Sequence, residues 1–264
     1  MSCIAMATSM AIEHNYKILL MSTKYNDDTL DLCFGEMGNK KLVSKLMNSP
    51  TVAVDNGIEG LAKVANSNRL TPDIIQNYTH VVYKNRLEIL SSYKEVQDRP
   101  TKEEYLKAKE HYKDIIQNAS MFYDMVFVDL NKGLDDEMVR EILNISDVVV
   151  YNIEQKISMI KDFLKLKKEN NNKKDNLILN IGRFDGFSKY TVKNISRYVG
   201  IKRDISVIPY NTLYFEAANE ESVADLFLKI RKLSQADRNS NFTKAVQESV
   251  EKIIYKIQEL QMRM

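Results

Sequence analysis

Met125-Val-Phe-Val-Asp-Leu-Asn-Lys-Gly133 is an apolar run that stops on a carboxylate and reaches a glycine four residues later. A run with no polar face has the composition of a parallel strand covered on both sides. Before it, Thr101-Lys-Glu-Glu104 has capping-box spacing and opens a helix with Tyr105, Ala108, Tyr112 and Ile115 on one face. After it, a helical stretch over about 135–144 leads into a further apolar run, Asp147-Val-Val-Val-Tyr151. Apolar strands alternating with helices of this length indicate a parallel sheet with helices on both faces.

The same alternation extends outward in both directions. Residues 1–15 read as a buried helix dense in Ala and Ser, and Lys17-Ile-Leu-Leu-Met-Ser22 follows as a strand. Thr71-Pro-Asp73 combines an N-cap residue, a first-turn proline and an acid at the positive helix end. Leu87-Glu-Ile-Leu90 reads as another strand. Downstream, a helix over 154–168 runs into the polar stretch 168–175, expected as a solvated loop. Leu177-Ile-Leu-Asn180 is the next strand, and a helix from Ser188 stops near Gly200. Ile205-Ser-Val-Ile208 is the last strand, and helices over 222–233 and 242–262 close the chain. No Gly/Ser/Pro linker and no repeat divides the sequence. The expectation is a single α/β domain over 1–264: three layers, a mostly parallel sheet with helices on both faces, and a C-terminal amphipathic helix at about 239–264.

Composition narrows the function. The 264 residues are 44% apolar and 28% charged, an ordinary globular balance. Lys plus Arg is 38 against 36 Asp plus Glu, a formal charge of +2, so no global field draws the chain to nucleic acid or anionic lipid. Two cysteines, Cys3 and Cys33, are too few for a disulfide scaffold and fit a reduced, cytoplasmic protein. No apolar stretch is long enough to span a bilayer.

In open parallel sheets, ligands gather at the carboxyl ends of the strands. Asp129 stands there, where a carboxylate can orient a magnesium-bound water, and Gly133 would let a backbone N–H approach a phosphate. The same residues also read as a strand end and a helix-capping turn. Asn180 and Arg183 follow another strand. An amide there can meet a purine edge and a guanidinium can stack on a ring; a plain polar loop is the alternative. His14, His80 and His111 have no metal-ligand spacing.

Taken together, these segments resemble the ParA/MinD family of deviant Walker-type P-loop ATPases. Ser2 to Met21 resembles that family's first helix and second strand, and Val126 to Gly133 its "D-L-P-P-G" switch. Leu177 to Arg183 resembles the adenine-side Asn motif. Val207-Ile-Pro-Tyr-Asn211 through Glu216-Ala-Ala-Asn-Glu220 resembles the late "I-P-Y-D … E-A-A-N" segment, the most specific of the matches. The resemblance implies a P-loop NTPase-like fold, ATP and magnesium as cofactors, and nucleotide contacts from Asp129, Gly133, Asn180, Arg183 and Pro209, with Asp129 facing magnesium. It also implies a homodimer or partner protein and a role in positioning or assembling cellular cargo, by partition, septum placement or TadZ/CpaE-like pilus assembly.

Departures accompany the likeness. The acidic residue usual near the second strand is replaced by Ser22, Thr23 and Lys24. The family's phosphate loop and first strand belong before Ser2, so the chain as written is expected to be N-terminally incomplete, poor in hydrolysis, and open beside its second strand. A truncated start and a degenerate scaffold without nucleotide both remain as explanations. Lys161, Lys165, Lys167, Lys168, Lys173 and Lys174 form a candidate DNA face, but Glu169 and Asp175 interleave with them, and a solvated face is expected. In the last helix, Phe242, Val246, Val250, Ile253, Ile254, Ile257 and Leu260 make one stripe. Its basic residues are offset by Glu248, Glu251 and Glu259, which favours packing over a membrane surface.

Overall fold

The computed structural model describes residues 1–35, 57–95, 101–130, 136–169, 176–234 and 236–263. Contacts gather them into two compact units, one of Met10–Asn144 with Leu213–Leu228, the other of Met1–Ser9, Ile145–Thr212 and Lys229–Met264. Gly133, Lys173 and Lys174 lie outside the described residues.

The first unit holds a four-stranded sheet in the order β2 (His80–Tyr83), β3 (Leu87–Leu90), β1 (Ile18–Ser22), β4 (Met125–Asp129). β1 is parallel to both β3 and β4. Ile18, Leu19, Leu20 and Met21 are all fully buried, which is why this run carries no polar face. Helices Gly57–Asn66 and Tyr112–Ser120 contribute Ile58, Leu61, Tyr112 and Ile115 to the same core. The expected opening beside β1 is corrected: β1 is hydrogen-bonded along both edges. A strand buried on both faces has no water for its N–H and C=O groups, so both ladders must be filled. β2 was not anticipated. It pairs antiparallel with β3 across a turn in which Asn85 adopts φ 60°, a left-handed conformation that asparagine tolerates.

The second unit holds β5 (Val149–Ile153), β6 (Leu177–Phe184) and β7 (Ile205–Pro209), all parallel, in that order. Helices Ile157–Glu169 and Val192–Val199 cover it through a core that includes Ile160, Phe163, Leu179, Ile181 and Ile195. Thr191 caps the second of these helices by accepting the Asn194 N–H, and Gly200 ends it at φ 67°. Lys167, from the candidate DNA face, is used here: its Nζ donates to the carbonyls of Val199 (3.0 Å) and Gly200 (3.3 Å), satisfying orphan groups at that helix end. Gly182 in β6 admits the helix that starts at Ser2, because a Cβ there would lie 3.1 Å from Ser2 Oγ. Helix Ser240–Gln261 packs on β7, with Phe242, Val246, Val250, Ile253 and Ile254 buried.

Where the alternation predicts one sheet, the described strands pair into two, with β4 and β5 each at an edge of its own. Two boundaries also move. β5 starts two residues later than the 147–151 run, and β6 does not close at Asn180 but continues to Phe184.

Candidate functional site

The carboxyl ends of β1, β3 and β4 carry a dense polar cluster. Ser22 pairs with Asp129 in register, and the Thr23 N–H extends the ladder to the Asp129 carbonyl at 3.1 Å. The chain then turns, and Lys24 bends back over the strand end. Its Nζ lies 2.6 Å from Asp129 Oδ2 and 3.6 Å from Asp27 Oδ2. Ser22 Oγ donates to that same Asp27 oxygen at 3.2 Å and accepts the Lys24 backbone N–H at 3.3 Å. On the other side of Asp27, Thr29 donates both its N–H and its hydroxyl to Oδ1. A second pair stands beside the first: Lys94 Nζ reaches Asp31 Oδ2 at 2.7 Å and the Asp27 carbonyl at 2.9 Å, while Ser91 Oγ donates to Asp31 Oδ1 at 2.6 Å. The rings of Tyr25, Tyr93 and Tyr105 pack against one another, and the Tyr105 hydroxyl closes on the Thr23 carbonyl at 2.8 Å.

These contacts set the electrostatics. Burial alone would lower the pKa of the Lys24 ammonium, but the bonded Asp129 carboxylate, with Asp27 behind it, outweighs burial and holds it above the usual lysine value. Burial likewise pushes Asp27 up. The Thr29 hydrogen bonds, the Lys24 charge and Ser22 together bring it below the ordinary carboxylate value.

In the other unit, Asn180, Arg183 and Pro209 are placed differently from one another. Asn180 sits in mid-strand, fully buried. Its Nδ2 donates to Asn152 Oδ1 at 2.8 Å and its Oδ1 accepts from Ser206 Oγ at 2.9 Å, a polar rung across all three strands. Because β6 runs four residues past it, its amide is committed to neighbouring strands rather than presented at the sheet end. Arg183 is ejected from the ladder at a bulge: Gly182 pairs with Ile208 and Phe184 with Pro209, while Arg183 adopts φ 49°. Its exposed guanidinium lies 3.5 Å from Glu154 Oε1. Arg183 and Pro209 therefore share the carboxyl end of this sheet. Gln155 fixes the loop that follows, donating to the carbonyls of Asp185 (3.0 Å) and Tyr190 (2.9 Å) and accepting the Asp185 N–H (2.7 Å).

Lys24, Asp27, Asp31 and Lys94 were not singled out as site residues by the sequence. The visible signal was the lysine standing where an acid was expected. A magnesium ion at Asp129 does not fit the residues present. The carboxylate oxygen a metal would use already holds an ammonium at 2.6 Å, and no group of three or more His, Cys, Asp or Glu able to hold a metal occurs among the described residues. For a nucleotide base, Arg183 and Pro209 offer a ring-stacking cation and a strand-end backbone at one sheet end.

No protein-family model and no curated protein matches this sequence. Solved structures do match its fold. A ParA family ATPase from Chlorobium tepidum superposes with a TM-score of 0.68 at 19% identity, covering 95% of this chain and 92% of that one. The cell division ATPase MinD from Pyrococcus furiosus gives 0.65 at 14% identity, covering 96% and 92%. The septum site-determining protein MinD from Pyrococcus horikoshii, solved with Mg-ADP, gives 0.61 at 15% identity, covering 97% and 92%. The chain has an α/β fold like that of the ParA and MinD structures. No helix among the described residues is long and apolar enough to cross a membrane.

Proposed function

We propose that the chain is a ParA/MinD-like switch that positions or assembles cellular cargo, acting as a homodimer or with a partner protein, in the cytoplasm. The observation that carries this reading is the end-to-end likeness of its fold to ParA and MinD ATPases, over 95% or more of this chain. Nucleotide, in this reading, meets Arg183 and Pro209 at the carboxyl end of the β5–β6–β7 sheet. A fluorescent ATP analogue, titrated with and without magnesium, tests the reading, together with light scattering for nucleotide-dependent dimers. Micromolar binding coupled to a change in mass supports it; no binding under either condition refutes it.

A second reading has its own support. The Asn180 amide is buried in a cross-strand rung and Asp129 is ion-paired, so two of the residues carried over from the family are engaged by the chain itself. That suits an interaction module without nucleotide, such as a TadZ/CpaE-like pilus-assembly component. A partner that binds equally with and without nucleotide would select it. Partition on DNA has less support, since Lys167 is spent on a helix end.

A further inference from the structure

Two carboxylates from different segments converge on one nitrogen at the end of β1 and β4. Asp129 Oδ2 is 2.6 Å from Lys24 Nζ, Asp27 Oδ2 is 3.6 Å from it, and Ser22 Oγ bonds that same Asp27 oxygen. Two carboxylate oxygens around one position are the hard donors a divalent cation prefers, but magnesium needs oxygen at ~2.0–2.1 Å in an octahedron and cannot share the space with an ammonium. The lysine is not a loose surface partner. Its backbone N–H is bonded to Ser22 Oγ, the preceding Thr23 continues the β1–β4 ladder, and Tyr105 holds the Thr23 carbonyl. Strand register therefore fixes where the ammonium goes. The adjoining Asp31 meets a lysine too, Lys94, so each of the three carboxylates at this strand end faces a cation from the chain itself.

We infer that the Lys24 ammonium is the resident cation of the Asp27–Asp129 pair, taking the position a divalent metal would occupy, so that this strand end closes without metal. The chain's own side chain performs the bridging that a diffusible ion would perform, and the bridge between β1 and β4 does not respond to magnesium concentration. Removing the ammonium while keeping both carboxylates converts the position into a divalent-cation site. The inference stands on the ion pair itself and is independent of whether nucleotide binds.

Manganese and terbium, used alone with the full-length chain, read it directly. Manganese is followed by loss of the free-ion electron paramagnetic resonance signal. Terbium is followed by emission sensitised by the Tyr25–Tyr93–Tyr105 cluster, in a chain with 14 tyrosines and no tryptophan. The wild type should take up no more manganese than Asp129→Asn and give no tyrosine-sensitised terbium signal at this site. Lys24→Ala should gain one manganese equivalent, bound at least ten-fold more tightly than any site of the wild type. Asp129→Asn in the same chain should abolish that gain. Lys24→Met keeps the stem volume and serves where the alanine variant folds poorly, with circular dichroism as the check. Wild-type manganese uptake that Asp129→Asn removes would overturn the inference, and the wild-type arm requires no substitution at Lys24. Folded Lys24→Ala and Lys24→Met chains that gain no metal would overturn it as well.

Discussion

Replacing Ile253 by glutamate asks whether the apolar stripe of the last helix serves the fold or a lipid surface. Ile253 is 5% exposed, in line with Val246 at 0% and Val250 at 1%, on the helix that packs against β7. Losing its buried side chain removes about 2–3 kcal/mol of transfer free energy. A carboxylate in its place adds several kcal/mol of desolvation. The nearby cations do not rescue it: Lys252 Nζ is bonded to the Ile205 carbonyl, and Lys256 Nζ sits between Asp204 (3.0 Å) and Glu259 (3.3 Å). The sum is about 5 kcal/mol, comparable to the whole stability of many domains. Ile253→Ala should cost ~2–5 kcal/mol, and Tyr255→Glu, at a position 58% exposed on the same helix, should stay within ~0.5 kcal/mol. Urea unfolding followed by far-ultraviolet circular dichroism measures all three, and flotation with anionic vesicles is run alongside. An Ile253→Glu chain that unfolds at the wild-type urea midpoint yet loses vesicle binding would refute the reasoning and assign the stripe to membrane.

Three further outcomes are expected. Cys33 is fully buried, and burial pushes its thiol up to about 11, so at pH 8 it should resist iodoacetamide until the chain unfolds; mass spectrometry showing alkylation at a free-thiol rate contradicts this. Asp27, held below its ordinary 3.8, contributes stability that is present above that value and lost as pH falls through its folded pKa. Lys24, held above 10.5, contributes stability that is present below that value and lost as pH rises through its folded pKa. Asp27→Asn should therefore flatten the acid arm of a melting-temperature profile below about pH 4, and an unchanged arm would count against the assignment. Asn180→Ala strands the polar ends of Asn152 and Ser206 and should cost ~1–3 kcal/mol, with affinity for a nucleotide analogue unchanged. A loss of affinity at constant stability would return Asn180 to the base-reading role.

Which parts of this fold could be read in advance follows from burial. β1 stood out because a strand covered on both faces is written as an unbroken apolar run; β4 is written the same way although its residues are half-buried at a sheet edge, and the observed limits of both fall within a residue of the runs. β2 is only four residues long and largely half-exposed, so the strand-forming Val81, Val82 and Tyr83 make a run too short to show an alternation or a buried stretch. The second half of β6 was hidden by Gly182 and Arg183, one chosen for a close helix approach and the other for a bulge, neither a strand-former. At the candidate site, Asp129 was legible as a carboxylate ending a strand. Its partner was not, since Lys24 lies 105 residues away and meets it only through the parallel register of β1 and β4. Asn180 was visible as a polar residue after an apolar run. Misjudging where the strand stopped turned a buried rung into an apparent loop residue.

That rung also discriminates among ways the chain could assemble wrongly. Hydrophobic side chains in β5, β6 and β7 are nearly interchangeable, so apolar contact alone would tolerate β6 sliding by two residues with its faces preserved. Asn152, Asn180 and Ser206 stand directly opposite one another only in the observed pairing. Sliding β6 by two residues places Asn180 opposite Val150 and Asp204, or opposite Glu154 and Ile208. Either slide breaks the Asn152–Asn180–Ser206 rung and faces the amide with an aliphatic side chain on one side, at ~1–3 kcal/mol for a buried polar group left unmet. A misaligned sheet is thus penalised at its centre while it is still forming, and the residue that does this is the one whose position in the sequence suggested a ligand.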